Sequence, residues 1–234
     1  MQLMLEAIRE AGSRLLSPDS DLLSATWRTL QVSGTATFIS LLLGVPSGVA
    51  LALYRFPGRI FIVALINTGM GLPPVVVGLF VMLLLWRSGP FGALELLYTP
   101  SAMVIAQTLI ALPVVAGLSL AALQSLPARL RLQLQALGAS TLQTAWLLSR
   151  EARLPLLAAL MAGFGAVISE VGASLMVGGN LRGSTRVLTT AVVLEASKGN
   201  FASGIALGLV LLVLAYAIND VLTRLQQRGR ERKS

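Results

Sequence analysis

The sequence predicts an all-α, polytopic membrane protein with five transmembrane helices, and three observations predict it. Of the 234 residues, 55% are hydrophobic and mean hydropathy is +0.80, too apolar for an ordinary soluble domain. Five apolar runs approach or exceed the ~20 residues that cross a hydrocarbon core: Thr35–Tyr54, Ile60–Trp86, Ser101–Leu123, Leu154–Val177 and Gly204–Val221. The Lys and Arg residues sit in short segments beside those runs, without interleaved aromatics, the pattern of membrane orientation rather than of nucleic-acid binding. Residues 1–234 read as one transmembrane domain with no soluble domain, linker or long-range repeat.

Residues 1–23 precede the first span. They lack the basic start and apolar core of a signal peptide and read as a short amphipathic segment on the outer interface. Ser33, Thr35 and Thr37 open the first span; their hydroxyls serve a neighbour, an anion, or their own helix carbonyls. Gly44-x-x-x-Gly48, and later Gly204-x-x-x-Gly208, are small-residue faces that let helices approach closely.

The second span contains Gly71-Leu72-Pro73-Pro74. Consecutive prolines remove backbone donors and kink or break a helix. Two readings stand: a packing kink, or a broken helix lining a translocation path, since irregular backbone at membrane depth must face protein or water. Asn67 and Thr68, one to two turns before the break, join Thr35, Thr37, Pro73 and Pro74 as path candidates.

After the third span, residues 124–153 form a polar, basic island. Pro127 suits a first helical turn. Leu126, Leu130, Leu134 and Leu137 recur at helical spacing, with Arg129, Arg131, Gln133 and Gln135 on the other face. Gly138 tolerates the positive φ that ends a helix. Ser140 with Gln143 is a capping-box pattern that starts the next one. The prediction is helix, glycine turn, helix.

Glu170 is the one acid well inside a span. An ionisable group in lipid is a functional candidate, but a carboxylate in an anion path repels its substrate. A structural or gating role follows, with Glu170 pairing with an outer basic residue or capping backbone donors near Gly172; a protonated, hydrogen-bonded glutamate is the alternative. Gly178, Gly179, Asn180 and Arg182 begin an outer loop that runs through Arg186, rich in accessible N–H groups and charge, suited either to an anion-binding nest or to a solvated, headgroup-touching surface. Val187–Ala196 is too short to span and is expected on the outer surface. Residues 222–234 form a basic tail.

Counting charges orients the spans. Arg55, Arg59, Arg129, Arg131, Arg150, Arg153, Arg224, Arg228, Arg230, Arg232 and Lys233 fall on one side. Arg9, Arg14, Arg28, Arg87, Arg182, Arg186 and Lys198 fall on the other, among most of the acids. The richer side is cytoplasmic. The N-terminus is then outside, and the island and C-terminus are inside. Cys and His are absent, which removes thiolate chemistry, the usual general base and the commonest metal ligand. No phosphate-loop motif is present. The chain is not expected to be an enzyme, to hold a metal or cofactor, or to bind nucleic acid; membrane lipid is its surroundings.

Ala136-Leu137-Gly138-Ala139-Ser140, followed by Leu154-Pro155, resembles the EAA loop of ABC-importer permeases, which docks into an ATPase subunit. Residues 71–79 and 169–180 resemble the molybdate, tungstate and sulfate branch of that family, tungstate permeases most of all. In place of the family's Glu-Ala-Ala stands Leu132-Gln133-Leu134, which removes the glutamate's docking contact and leaves the helix–turn–helix shape. The resemblance implies a type I ABC-importer-like permease fold in the cell inner membrane, with residues 124–153 as a cytoplasmic coupling loop. It implies a homodimer, ABC ATPase subunits that bind ATP and Mg, and an extracellular or periplasmic oxyanion-binding protein that docks on the outer loop. Tungstate is the expected substrate, molybdate or sulfate the alternative. A passive channel or scaffold is the rival from another class; it leaves the folded island without a purpose.

Overall fold

Helix α1, Ser20–Leu53, is 34 residues long, about 51 Å at 1.5 Å per residue. The computed structural model describes residues 20–231, together with 5, 6, 8, 9, 12 and 13, which are helical. The rest of the expected interfacial segment, and residues 232–234 of the basic tail, lie outside the described residues. The first span thus starts well before Thr35, and residues 20–23 belong to it rather than to a separate segment. Hydropathy misses this N-terminal part because Ser24, Thr26 and Arg28 are polar. One face of it is nonetheless buried, where Leu22 and Ala25 pack with Leu188, Ala191, Leu207 and Val210.

The second run is two helices, α2 (Arg59–Met70) and α3 (Pro74–Leu85), of 12 residues each. They meet at 106°. Each is about 18 Å long and too short to cross a ~30 Å core alone. A single-turn 3-10 helix at Gly92–Leu94 precedes α4, Pro100–Gln124. The Thr99 hydroxyl caps α4 by accepting from the Ala102 N–H. The island follows as α5 (Ala128–Ala136) and α6 (Thr141–Glu151). The fourth run is also broken, into α7 (Arg153–Ile168) and α8 (Gly172–Gly178). Last come α9 (Leu188–Ser197) and α10 (Phe201–Glu231). The fifth span therefore starts at Phe201 and continues as one helix into the basic tail.

Helices α1, α4 and α10 are long and apolar enough to cross a membrane. Counting the bent pairs α2–α3 and α6–α7, the latter at 74°, as one span each brings the candidate spans to as many as five by length and composition, with α7 and not the island helix α6 as the crossing part of the second pair.

Helix α4 is central and touches α1, α2, α3, α7 and α8. Its closest partner is α1, because both present small residues. A methyl on Gly48 would lie 2.6 Å from the Ala116 carbonyl oxygen, and one on Gly44 3.1 Å from Val115. The Gly44-x-x-x-Gly48 face is thus filled within the chain. Met103, Ala106, Ile110 and Ala111 of α4 meet Val32, Val77, Val81, Val167, Ala173 and Val177 in the main core. Helix α9 departs from expectation. Leu188, Thr189, Thr190 and Ala191 in its first turns are buried, because α1 and α10 close over them.

Candidate functional site

Two backbone breaks organise the site. At the first, Pro73 and Pro74 lack the N–H groups that would continue α2. Helix α2 ends in a tightened turn, with the Gly71 N–H donating to Thr68 at 3.0 Å and Leu72 to Gly69 at 3.4 Å. Pro73 is extended (φ −61°, ψ 124°) and Pro74 opens α3, the position where a missing donor costs least. Gly71, Leu72 and Pro73 are exposed and Pro74 is half-buried.

At the second break, Glu170 is only 7% exposed. Its Oε1 accepts the Ala173 N–H at 2.7 Å, and its carbonyl accepts the Thr189 hydroxyl at 2.9 Å. Glu170 therefore caps α8, where a carboxylate also suits the helix dipole, and ties that cap to α9. A methyl on Gly172 would strike Val75 Cγ2 at 2.3 Å. One on Gly78 would lie 2.5 Å from the Ala173 Cα and 3.2 Å from Met176 Cβ. Helices α3 and α8 thus lie side by side, their N-termini at the same end.

A polar pair missed in the sequence lies behind this contact. Gln107, 2% exposed, donates from Nε2 to the Ser174 hydroxyl at 3.2 Å, while its Oε1 has no partner among the described residues. The signal was available: an amide in the middle of an apolar span needs a partner, and such bonds contribute roughly 0.6–2 kcal/mol in membranes.

The path candidates separate. Asn67, Thr68 and Thr35 are exposed, and the Thr68 hydroxyl donates to Ala64 at 2.9 Å. Thr37 is buried and donates to Ser33 at 2.7 Å, within its own helix. Helix α2 has no buried residue. It rests on α4 through close contacts of Gly69 with Pro113 and of Gly117 with Met70.

The island folds as its spacing predicts, with small differences. Pro127 stands just before α5 as its cap residue. Gly138 has φ +80°. Its N–H reaches Gln135 and the Ala139 N–H reaches Leu134, both at 3.0 Å, which is a Schellman closure. Ser140 and Gln143 exchange hydrogen bonds of 2.8 and 3.3 Å as a capping box. Leu126, Leu130 and Leu134 pack against Val49, Leu53, Ala122, Leu123 and Leu148. Leu137 does not join them: it is 84% exposed, with Leu132 at 65%, Leu142 at 81% and Trp146 at 61%. Of the remaining island residues, Gln133, Ala136 and Ser140 are exposed and Ala139 is half-buried.

The 178–186 loop turns its donors inward instead of presenting them. Ser184, Thr185 and Arg186 all donate backbone N–H groups to Leu181. The buried Thr185 hydroxyl donates to the Gly178 carbonyl and accepts from the Leu181 N–H. The Asn180 amide exchanges bonds with Thr190 of α9, and Arg182 pairs with Asp21 of α1. Gly179 and Asn180 take positive φ to make the turn. Asn200 and Lys198, both bonded to the Glu195 carboxylate, hold its pKa below the ordinary carboxylate value.

Comparison with known proteins bears on what these parts do. The family described as binding-protein-dependent transport system inner membrane component matches residues 41–230. A Haloferax volcanii protein named "Probable anion ABC transporter permease protein" is 47% identical over 212 residues, covering 88% of this chain and 91% of its own. The tungstate uptake system permease protein TupB of Peptoclostridium acidaminophilum is 37% identical over 227 residues, 97% of this chain and 100% of its own. Among solved structures, a chain of the MetNI methionine ABC transporter in an inward-facing conformation matches with a TM-score of 0.72 at 22% identity, covering 89% of this chain and 95% of that one. That likeness is one of fold.

Proposed function

The chain belongs to the binding-protein-dependent transport system inner membrane components, and on that premise we propose that it forms the translocation path of an importer for an oxyanion, tungstate first and molybdate or sulfate second. Members of this family are non-catalytic, multi-pass membrane subunits that work with a separate ATPase chain and a binding protein. ATP belongs to the ATPase. The substrate reading rests on the near-full-length relatives, one named for anions and one for tungstate.

One observation carries the path and the assembly around it. The irregular backbone at Gly71–Pro73 is exposed in the single chain, and irregular backbone in a hydrocarbon core must face protein or water. A second copy of the chain meets that requirement by enclosing the break, together with Asn67 and Thr68, in a central path between the two copies. Neutral donors there hold a dianion loosely enough to release it. The 124–153 island lies on the cytoplasmic side by the excess of Lys and Arg around it, with the N-terminus and the 178–186 loop outside.

Coupling follows from packing. The exposed Leu132, Leu137, Leu142 and Trp146 form the apolar face that an ATPase covers in place of the missing glutamate contact. The half-buried Leu126, Leu130 and Leu134 and the buried Leu148 fasten the island to the ends of α1 and α4. ATP-driven approach of two ATPases moves both islands, and with them α1 and α4, reopening the path outward. At the other end, the 178–186 loop and its contacts with α1 and α9 make a firm landing surface for the binding protein.

Reconstituted vesicles containing this chain, its ATPase and its binding protein test the reading. Tungstate uptake should require ATP and be inhibited most by tungstate, then molybdate, then sulfate. Equal inhibition by sulfate would overturn the substrate assignment, and uptake without ATP would overturn the coupling.

A further inference from the structure

At the island end of the molecule, a cavity of about 410 Å³ opens where α1 ends, α2 begins and α4 turns into α5. At ~30 Å³ per water this is room for roughly a dozen waters, ample for a phosphate group. Arg55, Arg59 and Arg131 line it with Gln124, over a floor that includes Leu53 and Leu126, and no carboxylate is among its lining residues. Arg59 Nε donates to the Leu51 carbonyl and Arg131 Nη2 to the Leu53 carbonyl, each at 2.7 Å. These bonds fix two guanidinium groups against the C-terminal end of α1, where positive charge is favoured. Each engages one N–H with the described chain and leaves others facing the cavity. Arg55 adds a third charge from the rim. None of the three is in an ion pair among the described residues.

We infer that this cavity binds a tetrahedral oxyanion of the phosphate class, carried by an anionic lipid headgroup or free in solution. Guanidinium groups match phosphate oxygens in a two-pronged geometry, and a basic pocket between helices at the membrane edge is placed to meet headgroups. The apolar floor suits the glycerol end of a lipid. The site is separate from the α2–α3 break and independent of which anion is transported. Since it abuts the island, its occupancy stiffens the joint between α1, α4 and α5.

The two sources separate experimentally. The assembled transporter, purified in detergent, is offered phosphatidylglycerol against phosphatidylcholine and its retained lipid is read by native mass spectrometry. In parallel, its Tm is followed with inorganic phosphate or tungstate against chloride at equal ionic strength. Arg55→Gln with Arg131→Gln should weaken binding about a hundredfold, roughly tenfold for each charge-assisted hydrogen-bonded pair removed. Arg129→Gln, which removes one positive charge from the island outside the cavity and so matches Arg55→Gln alone in charge, should change nothing. Arg55→Gln alone, at a side chain with no hydrogen bond to the described chain, keeps the test standing if Arg131→Gln lowers the yield. Preference for phosphatidylglycerol that the variants lose identifies the lipid; an anion-dependent rise in Tm that they lose identifies the free ion. The proposal fails if neither probe distinguishes the cavity variants from wild type, or if Arg129→Gln loses as much.

Discussion

Gly78 and Ala173 bring α3 and α8 into backbone contact: a methyl on Gly78 would sit 2.5 Å from the Ala173 Cα. Because the obstructing atom is backbone, no rotamer change relieves the clash. The two half-helices that follow the two breaks therefore behave as one unit, with Val75 on Gly172 and the Gln107–Ser174 bond behind it.

Gly78→Ala should destabilise the protein by about 1–3 kcal/mol, the usual cost of overpacking. Gly34→Ala, where an added methyl meets nothing within 4 Å, should be neutral or stabilise by up to about 1 kcal/mol, since alanine suits a helix better. Thermal unfolding of the two variants in detergent checks this, and equal Tm values would contradict the close contact.

Replacing Pro73 and Pro74 by alanine restores two backbone donors and lets α2 run on into α3. Transport should fall severely while the protein still inserts. Glu170→Gln should leave the order of preference among tungstate, molybdate and sulfate unchanged, because a glutamine oxygen still accepts from Ala173. Glu170→Ala removes the cap and should cost about 1 kcal/mol. Competition uptake in vesicles reads all three variants. A reordered anion preference in Glu170→Gln would show that the acid touches substrate.

Gly138→Val places a β-branched residue at φ +80°. Nothing crowds the site, so the penalty is purely conformational, about 1–2 kcal/mol. The angle between α5 and α6 should shift, and substrate-stimulated ATPase activity of the assembled transporter should drop with insertion intact. Gly138→Asn, which tolerates this φ, should retain activity. Normal stimulation in the valine variant would remove the turn from the coupling path.

The chain has no cysteine, so single engineered cysteines report sidedness cleanly. Ser140→Cys, on the exposed turn, should react with an impermeant reagent only after the membrane is opened, and Ser184→Cys should react from outside. The reverse pattern would invert the proposed orientation and the docking sides with it.

Features with local causes were legible in the sequence. The Pro73-Pro74 break, the Gly138 turn, the Ser140–Gln143 capping box and the apolar runs each depend on residues within one or two turns. So did Glu170 as a cap near Gly172, since its partner is three residues away. Less legible were features whose partners lie far along the chain. Ser33, reaching Val167 at 3.4 Å, and Thr29, accepting from the Leu188 N–H at 2.9 Å, are polar residues whose buried partners no local window contains.

The sequence by itself determined the all-helical membrane class, the position of the break at Pro73-Pro74, and the folded island, because proline, glycine and capping chemistry act within a single chain segment; the second break, inside the run Leu154–Val177, emerged only in the structure. Tertiary structure alone decided the rest. It set the 106° bend at the first break, since prolines remove hydrogen bonds but packing chooses the angle. Gly44 and Gly48 were turned toward α4 rather than outward, because a small residue fits wherever a neighbouring backbone arrives. The N–H groups of Ser184, Thr185 and Arg186 were drawn onto the Leu181 carbonyl because N–H groups shielded from water take the nearest acceptor the fold supplies. The arginine-lined cavity exists only because the α1–α2 connection and the α4–α5 turn, remote from each other in sequence, meet at one corner.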